Sequence, residues 1–292
     1  MHVWIILVSL MLAVGIRWLL SLPNEAQSTA PLSHNAYAQQ WRRVLGAFLI
    51  PPVLLLLTAV TMLQMGPTGV MLGVPVGHIG FIVGLGFISS AAIIAAYLGI
   101  QGWRSLRQIR THSNVAIYGY SGRVLNTEMP FAGQVGFWNP ELVVSQGLLD
   151  VLTPEQMATV LTHEDAHQHY HDTFWFFWLG WLRTLTCWLP QTRALWQELL
   201  LLREIRADWW ATQVQGIDPI LLAESLLQVV RLSAQSPLPN CATFNLLSST
   251  HRLDVRINAL LASGDWAEST PTIMSWQFGI ALLPLVAIAL HH

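Results

Sequence analysis

The chain has 292 residues, of which 53% are hydrophobic and only 10% are charged, and it contains 14 tryptophans. Its mean hydropathy is positive, which is typical of a membrane protein rather than of two soluble domains. The net charge of −2 argues against a basic nucleic-acid-binding surface, so we expect no nucleic-acid partner.

Three apolar runs, at residues 3–22, 44–65 and 79–100, are each long enough to cross a bilayer. They predict an N-terminal membrane region over residues 1–102 with three helices. No positive residue precedes the first run and no clear cleavage site follows it, which favours a retained helix over a signal peptide. Pro51-Pro52 predicts a kink or an unwound turn early in the second run.

Arginines indicate how these helices are oriented. Arg42 and Arg43 precede the second run, and a second cluster at residues 104–110 follows the third. Two spans separate the clusters, so both lie on one side, which the positive-inside rule assigns to the cytoplasm. The sequence therefore predicts a multi-pass protein of the cell (plasma or inner) membrane, with residues 103–272 facing the cytoplasm.

Residues 113–150 change to shorter hydrophobic periods. Segments 115–118 and 141–144 are predicted strands, with turns at Ser121-Gly122 and Asn139-Pro140. We expect them to form a small β-sheet over the helix that follows.

That helix carries the motif H-E-x-x-H. Its start is marked by a capping box from Thr153 to Gln156 with proline in the first turn. His163 and His167 are four residues apart and lie on one face, where two neutral imidazoles can hold one zinc ion. Glu164, beside the first histidine, can take a proton from water and pass it to a leaving amine.

A third ligand is predicted downstream. Glu204 and Asp208 are also four residues apart and share one face of a second helix. Glu204 would complete a His-His-Glu zinc site, and Asp208 would accept a hydrogen bond from the distal nitrogen of a ligating histidine. In the alternative interpretation both acids pair with Arg203 and Arg206 on a solvated face.

Between the two helices, residues 174–190 are apolar and aromatic, and a polar tip precedes a short return leg at 194–202. Because Glu204 must return to the same metal, the short leg and Arg183 favour a hairpin, residues 174–202, that dips partway into the membrane. His169 and His171 are further possible ligands by residue type, but we favour an interfacial position for them.

The pattern His163-Glu164-x-x-His167, followed by Asp172 and then Glu204-x-x-x-Asp208, resembles that of the integral-membrane gluzincin peptidases. Both the BlaR/MecR-type antirepressor peptidases and the HtpX/CAAX prenyl protease group fit. Residues 137–149 resemble the strand and turn before the zinc helix in both groups. The resemblance covers about residues 115–211. Asp165 departs from it, as an acid where the family has an apolar or small residue.

The resemblance implies a zinc endopeptidase facing the cytoplasm, with a zincin-like H-E-x-x-H helix packed against the Glu-x-x-x-Asp helix. An edge strand near residues 131–138 would bind extended substrate, or would only cover the core. The implied residues are the zinc ligands His163, His167 and Glu204, the general base Glu164, and the supporting Asp208 and Asp172.

Residues 249–260 are similar to a segment of the HtpX-type enzymes whose histidine and arginine lie near the active site, although a proline is missing and the spacing is shorter. His251 and Arg256 would then polarise the scissile carbonyl. The alternative is a surface helix in which Arg256 pairs with Asp254. A last apolar run, 273–290, predicts a C-terminal membrane helix within residues 273–292.

The sequence thus predicts a mainly α, polytopic membrane protein with a small β-sheet. The expected function is zinc-dependent cleavage of membrane-associated or regulatory proteins, with zinc as cofactor and a protein or peptide substrate and the lipid bilayer as partners. Two alternatives stay open: a metal-binding signalling or scaffold protein with little proteolytic activity, and a structural membrane protein with a chance motif.

Overall fold

The computed structural model describes residues 2–19, 34–67, 70–71, 74–75, 78–235 and 249–261. This part of the chain is mostly helical and has a small mixed sheet. The helices are α1 (His2–Leu19), α2 (His34–Met65), α3 (His78–Ile109), α4 (Gln146–Val151), α5 (Pro154–His169), α6 (Asp172–Leu185), α7 (Thr192–Trp209), α8 (Pro219–Gln235) and α9 (Ser249–Leu261), and a π-helical turn, Trp210–Val214, follows α7. The strands are β1 (Val70–Met71), β2 (Val74–Pro75), β3 (Asn114–Ile117), β4 (Tyr120–Leu125), β5 (Ala132–Val135) and β6 (Glu141–Ser145).

Two helices, α2 and α3, are long and apolar enough to cross a membrane. They contain the predicted runs 44–65 and 79–100. The first predicted run begins in α1, whose described apolar part is Trp4–Leu19. Residues 20–22 of that run lie outside the described residues. The predicted C-terminal helix at 273–290 lies outside the described residues.

Helix α2 continues through Pro51 and Pro52. Of the two outcomes expected there, a kink or an unwound turn, the unwound turn is therefore not formed. Proline has no N–H, and Pro52 therefore leaves the carbonyl of Phe48, four residues earlier, without its helical donor. The fully buried Arg17 of α1 donates to that carbonyl at 3.4 Å. A neighbouring helix thus supplies a donor where the proline removes one.

The four-stranded sheet has the order β3-β4-β6-β5, with β4 and β6 parallel and the other pairs antiparallel. Strands are present at both predicted segments. Val144 in the central strand β6 is fully buried in the cluster that contains Met157 and Leu161 of α5, so the sheet packs on this helix. Strand β5 is at the edge of the sheet, and the side chain of Gln134 donates to the carbonyl of Glu164 at 3.4 Å.

Helices α6 and α7 form a hairpin beside the two candidate membrane helices. Trp181 of α6 donates its indole N–H to the carbonyl of Ala91 in α3 at 2.8 Å. Tyr37 of α2 donates to the carbonyl of Leu202 in α7 at 3.1 Å. The hairpin leaves α5 at its C-terminal end and brings α7 back beside it, which places Glu204 opposite the two histidines.

Candidate metal centre

Helix α5 begins as predicted, at a capping box in which Thr153 and Gln156 satisfy each other's backbone N–H groups. Its inner face carries His163 and His167, whose residues are only 6% and 8% exposed. Buried imidazoles are costly unless polar groups satisfy both ring nitrogens. The surroundings of these four nitrogens therefore decide what the site can do.

The Nε2 atoms of both histidines point to one carboxylate. His163 Nε2 lies 3.4 Å from Glu204 Oε2, and His167 Nε2 lies 3.7 Å from Glu204 Oε1. A tetrahedral ion with bonds of about 2.0–2.1 Å holds its ligand atoms about 3.3 Å apart. In the described part of the chain this is the one group of three or more histidine, cysteine or acidic side chains that could hold a metal ion.

The distal Nδ1 atoms each face a buried aspartate. His167 Nδ1 forms a hydrogen bond with Asp172 Oδ2 at 2.7 Å. His163 Nδ1 lies 2.9 Å from Asp208 Oδ1, without the alignment of a regular hydrogen bond. Both contacts favour a proton on Nδ1 and leave Nε2 as the ligand atom. Asp208 thus lies beside the distal nitrogen of His163, and Asp172 is hydrogen-bonded to that of His167.

Arginines surround these carboxylates. Arg256 donates to Asp208 through Nε at 2.8 Å and a terminal nitrogen at 2.7 Å, and its other terminal nitrogen is 3.3 Å from Glu204. Asp172 accepts a hydrogen bond from Arg206. The sequence offered the alternative that Asp208 pairs with Arg203 or Arg206. That alternative is wrong, because Asp208 pairs with Arg256.

Arg203 pairs with Glu204, as the alternative interpretation of the sequence expected. Its Nε and one terminal nitrogen lie 3.0 and 2.5 Å from Glu204 Oε1. The guanidinium also stacks over the ring of Phe176, 4.9 Å from its centre. The face is not solvated, however, because the Glu204 side chain is only 21% exposed.

These contacts change the proton affinities at the centre. Burial alone would lower the pKa of His163, but the contact with Asp208 and its charge, followed by Glu204, raise that pKa to about 9. Burial opposes ionisation of Glu204, yet Arg203 and His167 bring its pKa well below the usual carboxyl value. Burial likewise opposes ionisation of Asp208, yet Arg256 lowers its pKa. A cation that binds here at neutral pH must therefore displace a proton from His163.

A cavity of about 400 Å³ opens beside the cluster. One wall is formed by residues 131–134, which include the edge strand β5, and α7 and α9 contribute other walls. Glu164 lines this cavity next to His167 and Glu204. The predicted general base therefore lines the same cavity as two of the three side chains that could hold a metal ion.

Four further residues were singled out in the sequence: His251, His169, His171 and Asp165. His251 lies in α9, but its side chain is outside the described part of the chain, so its role stays a prediction. His169 stacks on Trp210 at 5.4 Å, and His171 begins α6 with a left-handed backbone, φ 52°. Asp165 is partly buried, which raises its pKa.

Sequence reasoning missed the site roles of Arg203, Arg206 and Arg252. The first two stand between leucine and tryptophan residues on α7, and charged residues inside such an apolar stretch indicate buried partners. No sequence spacing identifies those partners, since Arg206 and Asp172 are on different helices.

The chain was compared with known proteins at three levels. No protein-family model, no curated protein and no solved structure matches it.

Proposed function

We propose that the chain is a membrane-embedded zinc-dependent endopeptidase that hydrolyses peptide bonds of membrane-associated or regulatory proteins at the cytoplasmic face. One observation supports this most strongly. His163, His167 and Glu204 converge within 4.8 Å of one another, and Glu164 lines a cavity beside them that is bordered by an edge strand.

The donor set fits zinc. Two imidazole nitrogens and one carboxylate oxygen are ligands that zinc prefers, and three protein ligands leave a fourth position open, as in catalytic rather than structural sites. The bound ion would polarise a peptide carbonyl and lower the pKa of a water molecule. Helices α5 and α7 would then carry the two halves of the zincin-like site that the resemblance implies.

The remaining chemistry belongs to the chain's own side chains. Glu164 takes a proton from the attacking water and delivers it to the leaving nitrogen. Asp208 and Asp172 hold the two imidazoles in the tautomer that keeps Nε2 free. Two guanidinium nitrogens of Arg256 bind Asp208. The third nitrogen lies 3.3 Å from Glu204 and is the donor that can stabilise negative charge on the substrate carbonyl.

Membrane topology supports the location. With α2 and α3 as membrane spans of a polytopic protein, Arg42 and Arg43 and the cluster at 104–110 lie on the side of the metal centre. The positive-inside rule makes this side cytoplasmic. Substrates would then be proteins that are bound to the membrane or lie close to it.

The test measures zinc content and proteolysis in the detergent-purified protein. Wild type, Glu204→Ala and Glu164→Gln are compared with Glu155→Gln, which removes an exposed acid from the same helix. We expect about one zinc ion per chain in wild type and loss of zinc in Glu204→Ala. Glu164→Gln should keep its zinc while cleavage of casein, and self-cleavage, fall by about 10²–10⁴-fold. Glu155→Gln should match wild type.

Each other outcome has a distinct meaning. Zinc retained in Glu204→Ala would remove Glu204 as a ligand. Zinc bound without cleavage of any substrate would favour the signalling or scaffold function. Absence of zinc from wild type would contradict the metal centre itself.

A further inference from the structure

Five aromatic side chains join the sheet to helix α6 and are here called the aromatic surface. Phe137 and Trp138 belong to the loop between β5 and β6, and Phe174, Phe177 and Trp178 belong to α6. The ring centre of Phe137 lies 5.0 Å from those of Phe174 and Phe177. It is also 6.1 Å from the ring centre of Trp178. Trp138 packs on Phe174 at 4.9 Å. The loop is thereby held against α6.

The loop has a defined shape that presents Trp138 outwards. It begins at Gly136, whose φ of 140° favours glycine, and a Cβ there would lie 3.0 Å from the carbonyl oxygen of Asn139. Trp138 is 73% exposed although it packs on Phe174, and Trp175, beside Phe174 on α6, is 58% exposed. Exposed aromatic side chains that lie together indicate a binding surface.

The sequence around the aromatic surface lacks charge. Residues 129–140 and 173–182 contain no acidic or basic side chain. A charged partner therefore has no group to pair with in these two segments, whereas lipid fits them. Tryptophan is enriched where a membrane protein meets the headgroups, because its ring is apolar and its N–H can donate a hydrogen bond.

The aromatic surface adjoins a candidate membrane helix. The ring centre of Trp178 lies 5.7 Å from that of Trp181, and Trp181 donates to the carbonyl of Ala91 in α3 at 2.8 Å. Large apolar side chains of α3 are exposed on both sides of Ala91, at Ile82, Ile93 and Tyr97. With α3 as a membrane span, these side chains face lipid, and the aromatic surface lies next to them.

The contact at Ala91 also gives the level of the aromatic surface. Ala91 is 12 residues after the start and nine residues before the end of the apolar run 79–100, which is about 18 and 14 Å at 1.5 Å per residue. Phe174 precedes Trp181 by seven residues of α6, at most about 10 Å. The aromatic surface therefore lies within the apolar length of α3, where lipid surrounds a membrane span.

We propose that the aromatic surface is a membrane anchor, with Trp138 and its loop inserted into the headgroup and outer acyl region of the bilayer beside α3. Its partner is the lipid bilayer. The anchor depends on α3 as a membrane span and not on the proposed peptidase function. Residues 131–134 come just before the loop and line the cavity that contains Glu164, so the anchor holds that wall of the cavity at the membrane.

Nitroxide labels on single cysteines test the surroundings of the loop. Trp138→Cys is made in a chain with Cys187→Ser and Cys241→Ser and is reconstituted into phosphatidylcholine–phosphatidylglycerol liposomes. Collisions of the label with oxygen, which concentrates in lipid, are compared with collisions with a water-soluble nickel chelate. We expect oxygen collisions to predominate at residue 138. In the control Asp150→Cys, an exposed position on α4, collisions with nickel should predominate.

Trp175→Cys is the second test position, so that misfolding of one variant leaves the other. Trp175 and Trp178 are three residues apart on α6 and share one face. Ile93→Cys separately tests whether α3 is in lipid. Predominant oxygen collisions at 138 and 175 support the anchor.

Two results overturn the anchor. Predominant nickel collisions at 138 or 175 would place the aromatic surface in water. Few collisions with either reagent would show that protein covers it. If the label at Ile93 is in lipid, either result overturns the anchor alone, and the proposed peptidase is untouched because neither zinc nor cleavage is measured.

Discussion

At the scale of single residues, the metal centre is built from two parallel relays. In each one a histidine that faces Glu204 contacts a buried aspartate with its distal nitrogen, and the aspartate contacts an arginine. The relays are His163–Asp208–Arg256 and His167–Asp172–Arg206. A buried carboxylate is costly without a cation, so each arginine offsets that cost and orients its aspartate.

The second relay extends to a candidate membrane helix. The guanidinium of Arg206 lies over the rings of Tyr170 and Trp41, at 4.1 and 4.9 Å from their centres. Trp41 belongs to α2, so the position of this helix is linked through Arg206 and Asp172 to the orientation of His167. Metal affinity should therefore depend on residues that do not contact the ion.

We predict that Asp172→Asn weakens zinc binding by about 10–100-fold, the usual cost of losing a partner behind a ligating histidine. Arg206→Gln should weaken it in the same direction, because Asp172 loses the cation that orients it. In the double variant the two free-energy losses should not add, since both residues act on one imidazole. Competition with a chromophoric chelator measures all three affinities.

Asp150→Asn, which removes an exposed acid outside the centre, is the matched control and should bind zinc like wild type. Fully additive losses in the double variant would show that Arg206 and Asp172 act separately and would contradict the relay.

At the scale of elements, β5 is the edge strand that would bind an extended peptide in the proposed function. Ser145 donates its N–H to the carbonyl of Phe131 at 2.8 Å. In an antiparallel pair the residues that face the partner strand alternate with residues that face away. Because Ala132 pairs with Val144 in this register, its backbone N–H and C=O point away from β6. Among the described residues no other strand pairs with that edge, so an added strand can use these groups.

We predict that Ala132→Pro lowers peptide cleavage by at least about tenfold, since proline removes an outward N–H without removing a β5–β6 hydrogen bond. Zinc content should stay at the wild-type level because none of the metal-binding side chains lies on β5. Ala132→Ser is the control and should cleave like wild type. A loss of zinc in Ala132→Pro would show that the substitution disturbs α5, and unchanged cleavage would remove β5 as the substrate strand.

Local patterns in the sequence predict the elements well. The capping box at Thr153 marks the start of α5. Four-residue spacings place His163 and His167 on one face of α5, and Glu204 and Asp208 on the face of α7 that packs against it. Partners distant in sequence were not predictable, because Arg256 and Asp208 are 48 positions apart and no periodic signal links them. The same limit explains Pro51 and Pro52, where the local rule predicts an unwound turn but Arg17 of another helix supplies a donor.

At the scale of the whole molecule, the α6–α7 hairpin lies against the candidate membrane helices at a definite level. Trp181 contacts α3 at Ala91, nine residues before the C-terminal end of the apolar run 79–100. At 1.5 Å per residue this is a depth of about 14 Å. The ring of Trp196 is tilted against that of Phe48 in α2, with 6.0 Å between the ring centres. Phe48 lies four residues inside the run 44–65. The hydrocarbon core is about 30 Å thick, so we expect the hairpin to end near its middle.

Cys187, an exposed free thiol at the tip of this hairpin, tests that depth. The chain has two cysteines, so Cys241→Ser leaves Cys187 as the single thiol. We predict that a membrane-impermeant maleimide labels it neither in intact cells nor in inverted vesicles, but does so after detergent dissolves the bilayer. Thr111→Cys in a chain without Cys187 and Cys241 is the control, because the positive-inside orientation exposes it only in inverted vesicles. Labelling of Cys187 in intact cells would instead show that the hairpin crosses the membrane. Labelling of Cys187 in inverted vesicles, as for the Thr111→Cys control, would show that the hairpin does not enter the membrane.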